Sequence, residues 1–220
     1  NDKIESCVSN TGVGFLKHIS GEMITKYWEK KGNYLVRLPN GERKLFVCVN
    51  SSEKKNFFTD SEDYSVEVRP GTVTYHGTLC GVKIEVLMFV PENIPCECWN
   101  IRFSSGPNTS ITLTASIDLG FYMPGIEPAP LRTDISTENN VITSTERGIT
   151  ALFTAQAPTL AEVRPYTEVL PNESEGCLAE ISVSKTYTDS HGEWIVVSAA
   201  CSESGDREKV LGCLDAKINS

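Results

Sequence analysis

The sequence predicts an all-β protein, one large antiparallel β-sandwich with a short C-terminal helix. Three observations carry that prediction. Segments rich in β-branched and aromatic residues, with partial two-residue alternation, recur along the chain. Turn-forming residues separate them at short intervals. Strand-like and helix-like periods do not alternate, which disfavours a nucleotide-binding α/β fold. With 220 residues and 40% apolar content, the chain can bury a substantial core as a single domain spanning residues 1–220.

The opening stretch, VSNTGVGFLKHISGEMITKYWEKKGNYLVRL (residues 8–38), mixes a glycine-paired turn with aromatic and β-branched residues and reads as architecture. Strands are expected at NYLVRL (33–38), KLFVCV (44–49), DYSVEVRP (63–70), GTVTYHGTL (71–79) and VKIEVLMFV (82–90). ECWNIRFS (97–104) and SITLTASIDLGFY (110–122) follow. After them come VITSTE (141–146), GITALFTA (148–155), CLAEISVSKTY (177–187) and EWIVVSAACS (193–202). The turns fall at PNG (39–41), RPG (69–71), CG (80–81) and SSGPNTS (104–110). Residues 123–140 and 155–176 are proline-rich and read as long loops or edge excursions. The final segment places Val210, Leu211, Leu214 and Ile218 on one helical face, with Asp206 as N-cap and Lys217 in the last turn. That helix is expected to pack on the outside of a sheet or to lead onward into a following segment.

Charge and composition exclude several classes. A net charge of -9, from 29 acidic against 20 basic residues, repels phosphate backbones and disfavours nucleic-acid binding. The longest apolar stretch, Val86–Val90, is strand-length, far short of the roughly 20 residues of a membrane-spanning helix. The polar start NDKIESCVSN is no secretory signal. A soluble, cytoplasmic protein is therefore expected, and Asn50, Asn108 and Asn172 read as chance glycosylation triplets.

Eight cysteines stand at positions 7, 48, 80, 96, 98, 177, 201 and 213, with no C-x-x-C spacing. Several lie in apolar runs, where free Cys behaves as a small buried hydrophobe. They are expected to be reduced and mostly buried, with Cys48, Cys201 and Cys213 the clearest cases. Only Cys96 and Cys98 approach a zinc-ligand spacing, and from one strand they supply two ligands at most. No metal or cofactor is expected.

The catalytic inventory is thin. The chain lacks a nucleophile elbow, a Walker loop, a zincin motif and a dinucleotide fingerprint. GVGF (12–15) follows no clear strand and lacks the third glycine. His18, His76 and His191 are far apart and read as strand or surface residues. Glu85 and Asp118 read as the polar faces of strands. No catalytic residue is assigned. Aromatic side chains offer sugar-stacking platforms. Trp99 and Trp194 sit in strongly apolar strands and read as core, which leaves Tyr27, Trp28 and Tyr122 as carbohydrate-contact candidates.

Asn10, Gly12, Gly14 and Phe15, followed by Ile24, Thr25 and Tyr27 or Trp28, resemble the opening of a known family's amino-terminal domain. That family is the cellobiose and chitobiose phosphorylase group, glycoside hydrolase family 94, formerly glycosyltransferase family 36. Phe89, Val90, Pro91, Glu97 and Trp99 are similar to its Phe-Val-Pro … Glu-x-Trp strand pair, and the closing strand and helix resemble the end of that domain. The resemblance implies a β-supersandwich like that of galactose mutarotase. It also implies a role in shaping an active-site entrance and in subunit contacts. The implied partners are a downstream (α/α) barrel that carries the chemistry, an oligosaccharide substrate and a second subunit in a homodimer, with inorganic phosphate as co-substrate. Two other readings stay open: a free-standing carbohydrate-binding module, and a mutarotase-like epimerase with a histidine and a carboxylate converging on one sheet face.

Overall fold

The computed structural model describes residues 1–20, 23–25, 27–31, 34–38, 41–122, 135–146, 148–165 and 179–215. They hold eighteen strands and two helices. The chain opens with the hairpin β1 (Ile4–Val8) and β2 (Val13–His18), then β3 (Met23–Thr25), β4 (Tyr27–Lys31) and β5 (Tyr34–Leu38). Next are β6 (Gly41–Val49), β7 (Lys55–Asn56) and a single turn of helix, α1 (Phe57–Asp60). A meander follows, β8 (Glu62–Arg69), β9 (Thr72–Leu79), β10 (Val82–Phe89) and β11 (Cys96–Ser104). Then come β12 (Ile111–Tyr122), β13 (Ile135–Glu138), β14 (Val141–Glu146), β15 (Ile149–Ala155) and β16 (Leu160–Pro165). The chain closes with β17 (Ala179–Tyr187), β18 (His191–Cys201) and α2 (Asp206–Asp215).

Two eight-stranded antiparallel sheets form the sandwich. The first runs β16-β17-β12-β3-β2-β6-β7, with β1 on β2; the second runs β13-β14-β15-β18-β11-β10-β9-β8. Long β12 serves two neighbours: Ile111–Ile117 pair with β6, and the end of the strand pairs with β3. β4 and β5 make a separate hairpin. Each sheet turns one side-chain parity inward, as a pleat requires. Leu45 and Val47 of β6 thus meet Trp99 and Ile101 of β11, Phe153 of β15 and Trp194 of β18 in one large core. Both tryptophans are fully buried, as expected. The turn at Cys80 and Gly81 has positive φ at both residues, 52° and 77°, the type I′ geometry that matches strand twist in a two-residue hairpin.

The structure corrects the sequence reading at several points. The hairpin β1–β2 makes GVGF part of a strand that follows another strand, so the segment is a hairpin arm. Within the two proline-rich stretches, Ile135–Glu138 and Leu160–Pro165 are strands at the sheet edges; residues 123–134 and 166–178 lie outside the described residues. α1 buries Phe57 and Phe58 and is capped by Asn56, whose side chain accepts from the Phe58 N–H.

α2 packs on the outer face of the second sheet, as expected, through Val210 and Cys213 with Leu211 and Leu214 beside them. Asp206 is its first residue, not an N-cap. Its Oδ2 accepts from the backbone N–H groups of Ser202 (3.2 Å) and Glu203 (3.0 Å) in the turn before the helix. Lys3 donates to its Oδ1 at 2.9 Å. Lys217 and Ile218 lie outside the described residues. Among the described residues no helix is long and apolar enough to cross a membrane.

Candidate functional site

The stretch Cys96-Glu97-Cys98-Trp99 of β11 concentrates the chemistry-bearing side chains. Its alternation sends Glu97 and Trp99 into the sandwich and Cys96 and Cys98 to the opposite face, under α2. Strand pairing on both sides, to β10 and β18, makes β11 a central strand, and all four residues are buried.

On the inner side, Glu97 meets Arg43 of β6, across the space between the sheets. Arg43 donates through Nε to Oε1 and through Nη2 to Oε2, both at 2.7 Å. This is the bidentate geometry of a strong charge-assisted pair. Trp99 Nε1 donates to Oε1 at 2.7 Å, the Ser6 hydroxyl donates to Oε2, and Arg43 Nη2 also reaches the Phe15 carbonyl at 3.1 Å. Burial pushes the Glu97 carboxyl up, but the Arg43 charge and the hydrogen bonds from Arg43, Ser6 and Trp99 outweigh it and hold the group below its usual range. A carboxylate so enclosed is ionised and fully engaged. It ties β1, β2 and β6 of the first sheet to β11 of the second.

A polar row crosses the other sheet face at β9, β10, β11 and β18. His76, Glu85, Arg102 and Glu193 stand opposite one another in register. His76 Nδ1 lies 3.5 Å from Glu85 Oε2, Arg102 Nη1 3.3 Å from Glu85 Oε1, and Arg102 Nε 3.5 Å from Glu193 Oε1. All four are partly exposed. Glu85 therefore is the polar-face residue the sequence suggested, and His76 is the strand residue. Asp118 shares its side of β12 with Thr112, Thr114 and Ser116, the polar face the sequence suggested, but that face is largely buried and Asp118 is 2% exposed. Its strand, β12, is covered on both sides.

His18 is buried at the end of β2, bonded through Nδ1 to Ser20 Oγ (2.8 Å) and through Nε2 to Ser202 Oγ (3.1 Å). Burial pushes the imidazole down, so it stays neutral near pH 7. Its Nδ1 faces a hydroxyl, which cannot stabilise an imidazolium as a carboxylate does, so the Ser202–His18 contact is not a catalytic relay. His191 is exposed at the first residue of β18.

The outer side of β11 brings three thiols together. Cys96 and Cys98 point toward α2, where Cys213 joins them, and the three sulfurs lie within 4.8 Å of one another. The Cys96 and Cys98 sulfurs are 3.6 Å apart. Hydrogen bonds from both pull the Cys213 thiol below its ordinary value, while Cys96 and Cys98 are held up by sharing the protons with it and by burial. The sequence singled out Cys96 and Cys98 by their spacing, but not Cys213, because the third thiol comes from a distant helix. Cys201 and Cys213 are buried as expected; Cys48 is only half-buried, and Cys7 and Cys80 are exposed. Cys7 is on the edge strand β1 and Cys80 in a turn, where the chain offers no cover.

The carbohydrate-contact candidates stand on strands other than β11. Tyr27 and Trp28 open β4, opposite Leu38 and Arg37 of β5. Tyr122 ends β12, in register with Met23 of β3. Their side chains are outside what the structure describes.

No protein-family model and no curated protein matches the sequence. Solved structures do match. A bacterial glucoamylase complexed with acarbose is similar over 99% of this chain, with a TM-score of 0.56 and 13% identity. A putative kojibiose phosphorylase from the human microbiome is similar over 97%, with a TM-score of 0.52 and 11% identity. The fold is one that carbohydrate-active enzymes carry. The chain spans only 36% and 33% of those two proteins, about a third of each.

Proposed function

We propose that this chain is a non-catalytic amino-terminal β-sandwich domain of a carbohydrate-active enzyme, a glycoside phosphorylase or a related glycosyl-transferring enzyme. In that enzyme it shapes the active-site entrance and contributes to contacts between two subunits. The observation that carries the reading is the coverage: nearly all of this chain matches about a third of a glucoamylase and of a kojibiose phosphorylase. The interior geometry supports it, since the buried carboxylate Glu97 has both oxygens occupied by Arg43, Ser6 and Trp99. An inverting phosphorolysis needs a carboxylic acid free to protonate the leaving oxygen while phosphate attacks the opposite face. In this reading that acid belongs to a following (α/α) barrel, and phosphate and the oligosaccharide are bound there. Tyr27, Trp28 and Tyr122 are the residues proposed to face the sugar.

The purified 220-residue chain is expected to release no sugar 1-phosphate from cellobiose or kojibiose with inorganic phosphate, and no glucose from either sugar in water. Turnover well above a buffer control in either assay overturns the proposal. The approach of His76 to Glu85 favours one second reading, a mutarotase-like epimerase. In a polarimetric assay of α-glucose, a rate above buffer that disappears in His76→Ala would support it. On the leading reading Glu85 is neutralised by Arg102 and the rate stays at buffer level.

A further inference from the structure

Cys96, Cys98 and Cys213 converge from a central strand and from the helix laid over it. Cys96 and Cys98 are fully buried and Cys213 is 6% exposed. They share an apolar cluster with Leu152, Ile195, Val197, Ala199 and Val210, and the Lys209 carbonyl lies 3.6 Å from the Cys213 sulfur. Among the described residues no carboxylate joins the three thiols, whereas calcium and magnesium take six or more oxygen ligands, carboxylates prominent among them. Sulfur donors select soft cations such as zinc(II) and copper(I). The spacing suits them as well. Thiolates about 2.3 Å from a tetrahedral zinc lie about 3.8 Å from one another, and this cluster has one sulfur pair at 3.6 Å and all pairs within 4.8 Å. Closing onto an ion thus needs only small side-chain adjustments.

The placement is also selective. Cys201 belongs to the same apolar cluster, yet its sulfur is not one of the converging three. A cysteine acting only as a small hydrophobe has no reason to aim its sulfur at two others. The helix that supplies Cys213 otherwise holds to the sheet through Val210, Leu211 and Leu214, and a cation shared between strand and helix would pin it there.

We propose that Cys96, Cys98 and Cys213 form a thiolate site for one soft d10 cation, zinc(II) or copper(I), which fastens α2 to the second sheet. Binding releases the thiol protons to solvent as the three sulfurs coordinate the ion.

The test uses the 220-residue chain with Cys7, Cys48, Cys80 and Cys177 replaced by serine, reduced and stripped of metal. One portion is loaded with zinc(II) and another, without oxygen, with copper(I). Each is challenged with a chelator and desalted, and the metal content and the thermal melt are read. One ion per chain should survive in at least one arm and raise the melting temperature, and the arm that retains it identifies the cation. Cys213→Ser should lose the bound ion and the shift, while Cys201→Ser keeps both. Cys98→Ser serves if Cys213→Ser alters the circular dichroism spectrum. Failure of both arms to retain an ion, or equal retention by a folded Cys213→Ser or Cys98→Ser, overturns the proposal. So does a chain in which two of the three thiols oxidise to a disulfide in air but which binds neither ion when reduced. None of these outcomes depends on the enzymatic role of the domain.

Discussion

Glu97→Ala is expected to remove about 3–5 kcal/mol of folding stability, the usual cost of breaking a buried ion pair by deleting one partner. Arg43 is 2% exposed, and its guanidinium makes two of its hydrogen bonds to this carboxylate. Without Glu97 the charge stays buried with, among the described residues, only the Phe15 carbonyl to face, and Trp99 and Ser6 also lose their acceptor. Urea unfolding followed by circular dichroism measures the loss. The double variant Arg43→Met with Glu97→Leu should recover most of it, because paired apolar replacements remove the desolvation cost together with the attraction. A Glu97→Ala chain within about 0.5 kcal/mol of the parent, the range of an ordinary surface substitution, would show that the pair does not join the sheets. The pH dependence has a definite sign. The folded-state carboxyl sits below its ordinary value of 4.5, so its contribution is fully present above that value and is lost as pH falls through the lower, folded-state value. In Glu97→Gln that part of the acid sensitivity should vanish.

Gly14→Ala is the second large effect. An added Cβ would stand 1.8 Å from the Cys7 carbonyl oxygen and 3.0 Å from Arg43 Nη1. The first neighbour is backbone, so relief means parting β1 from β2, and the second is the guanidinium of the ion pair. Overpacking of this kind costs about 3 kcal/mol or more. The loss should be strongly non-additive with Glu97→Ala, since both changes disturb Arg43. Additive losses in urea would separate the hairpin from the ion pair.

Much of the fold was legible because it rests on local pattern. Each strand named from alternation and turn chemistry is a strand. What escaped has short or weak alternation: β1 and β2 around GVGF, the brief β3 and β7, β4 in YWEKK, and the edge strands β13 and β16 inside proline-rich sequence. Edge strands tolerate proline because one side needs no ladder bonds, so composition misread them as loops. The Arg43–Glu97 pair was written in parity. Arg43 shares its face with Leu45 and Val47, and Glu97 shares its face with Trp99 and Ile101, so both charges had to point inward. Their partnership was not readable, because it joins strands of different sheets. Cys213 was hidden for the same reason. Helical spacing puts it between Val210 and Leu214 on the buried side, but nothing local says that the sheet beneath offers Cys96 and Cys98. Tyr27, Trp28 and Tyr122 were chosen by side-chain chemistry alone; they stand on β4 and β12, and their side chains lie outside what the structure describes.

The central claim is that this β-sandwich serves an enzyme whose reaction is carried by another part of the same polypeptide. The intact mass of the native polypeptide that contains residues 1–220, taken from its source and compared with 24.2 kDa for this chain, tests it most directly. Because the chain covers 36% and 33% of its structural neighbours, the account predicts a polypeptide about three times as heavy, with a long helical region after Ser220. A native polypeptide of about the mass of this chain alone would contradict it.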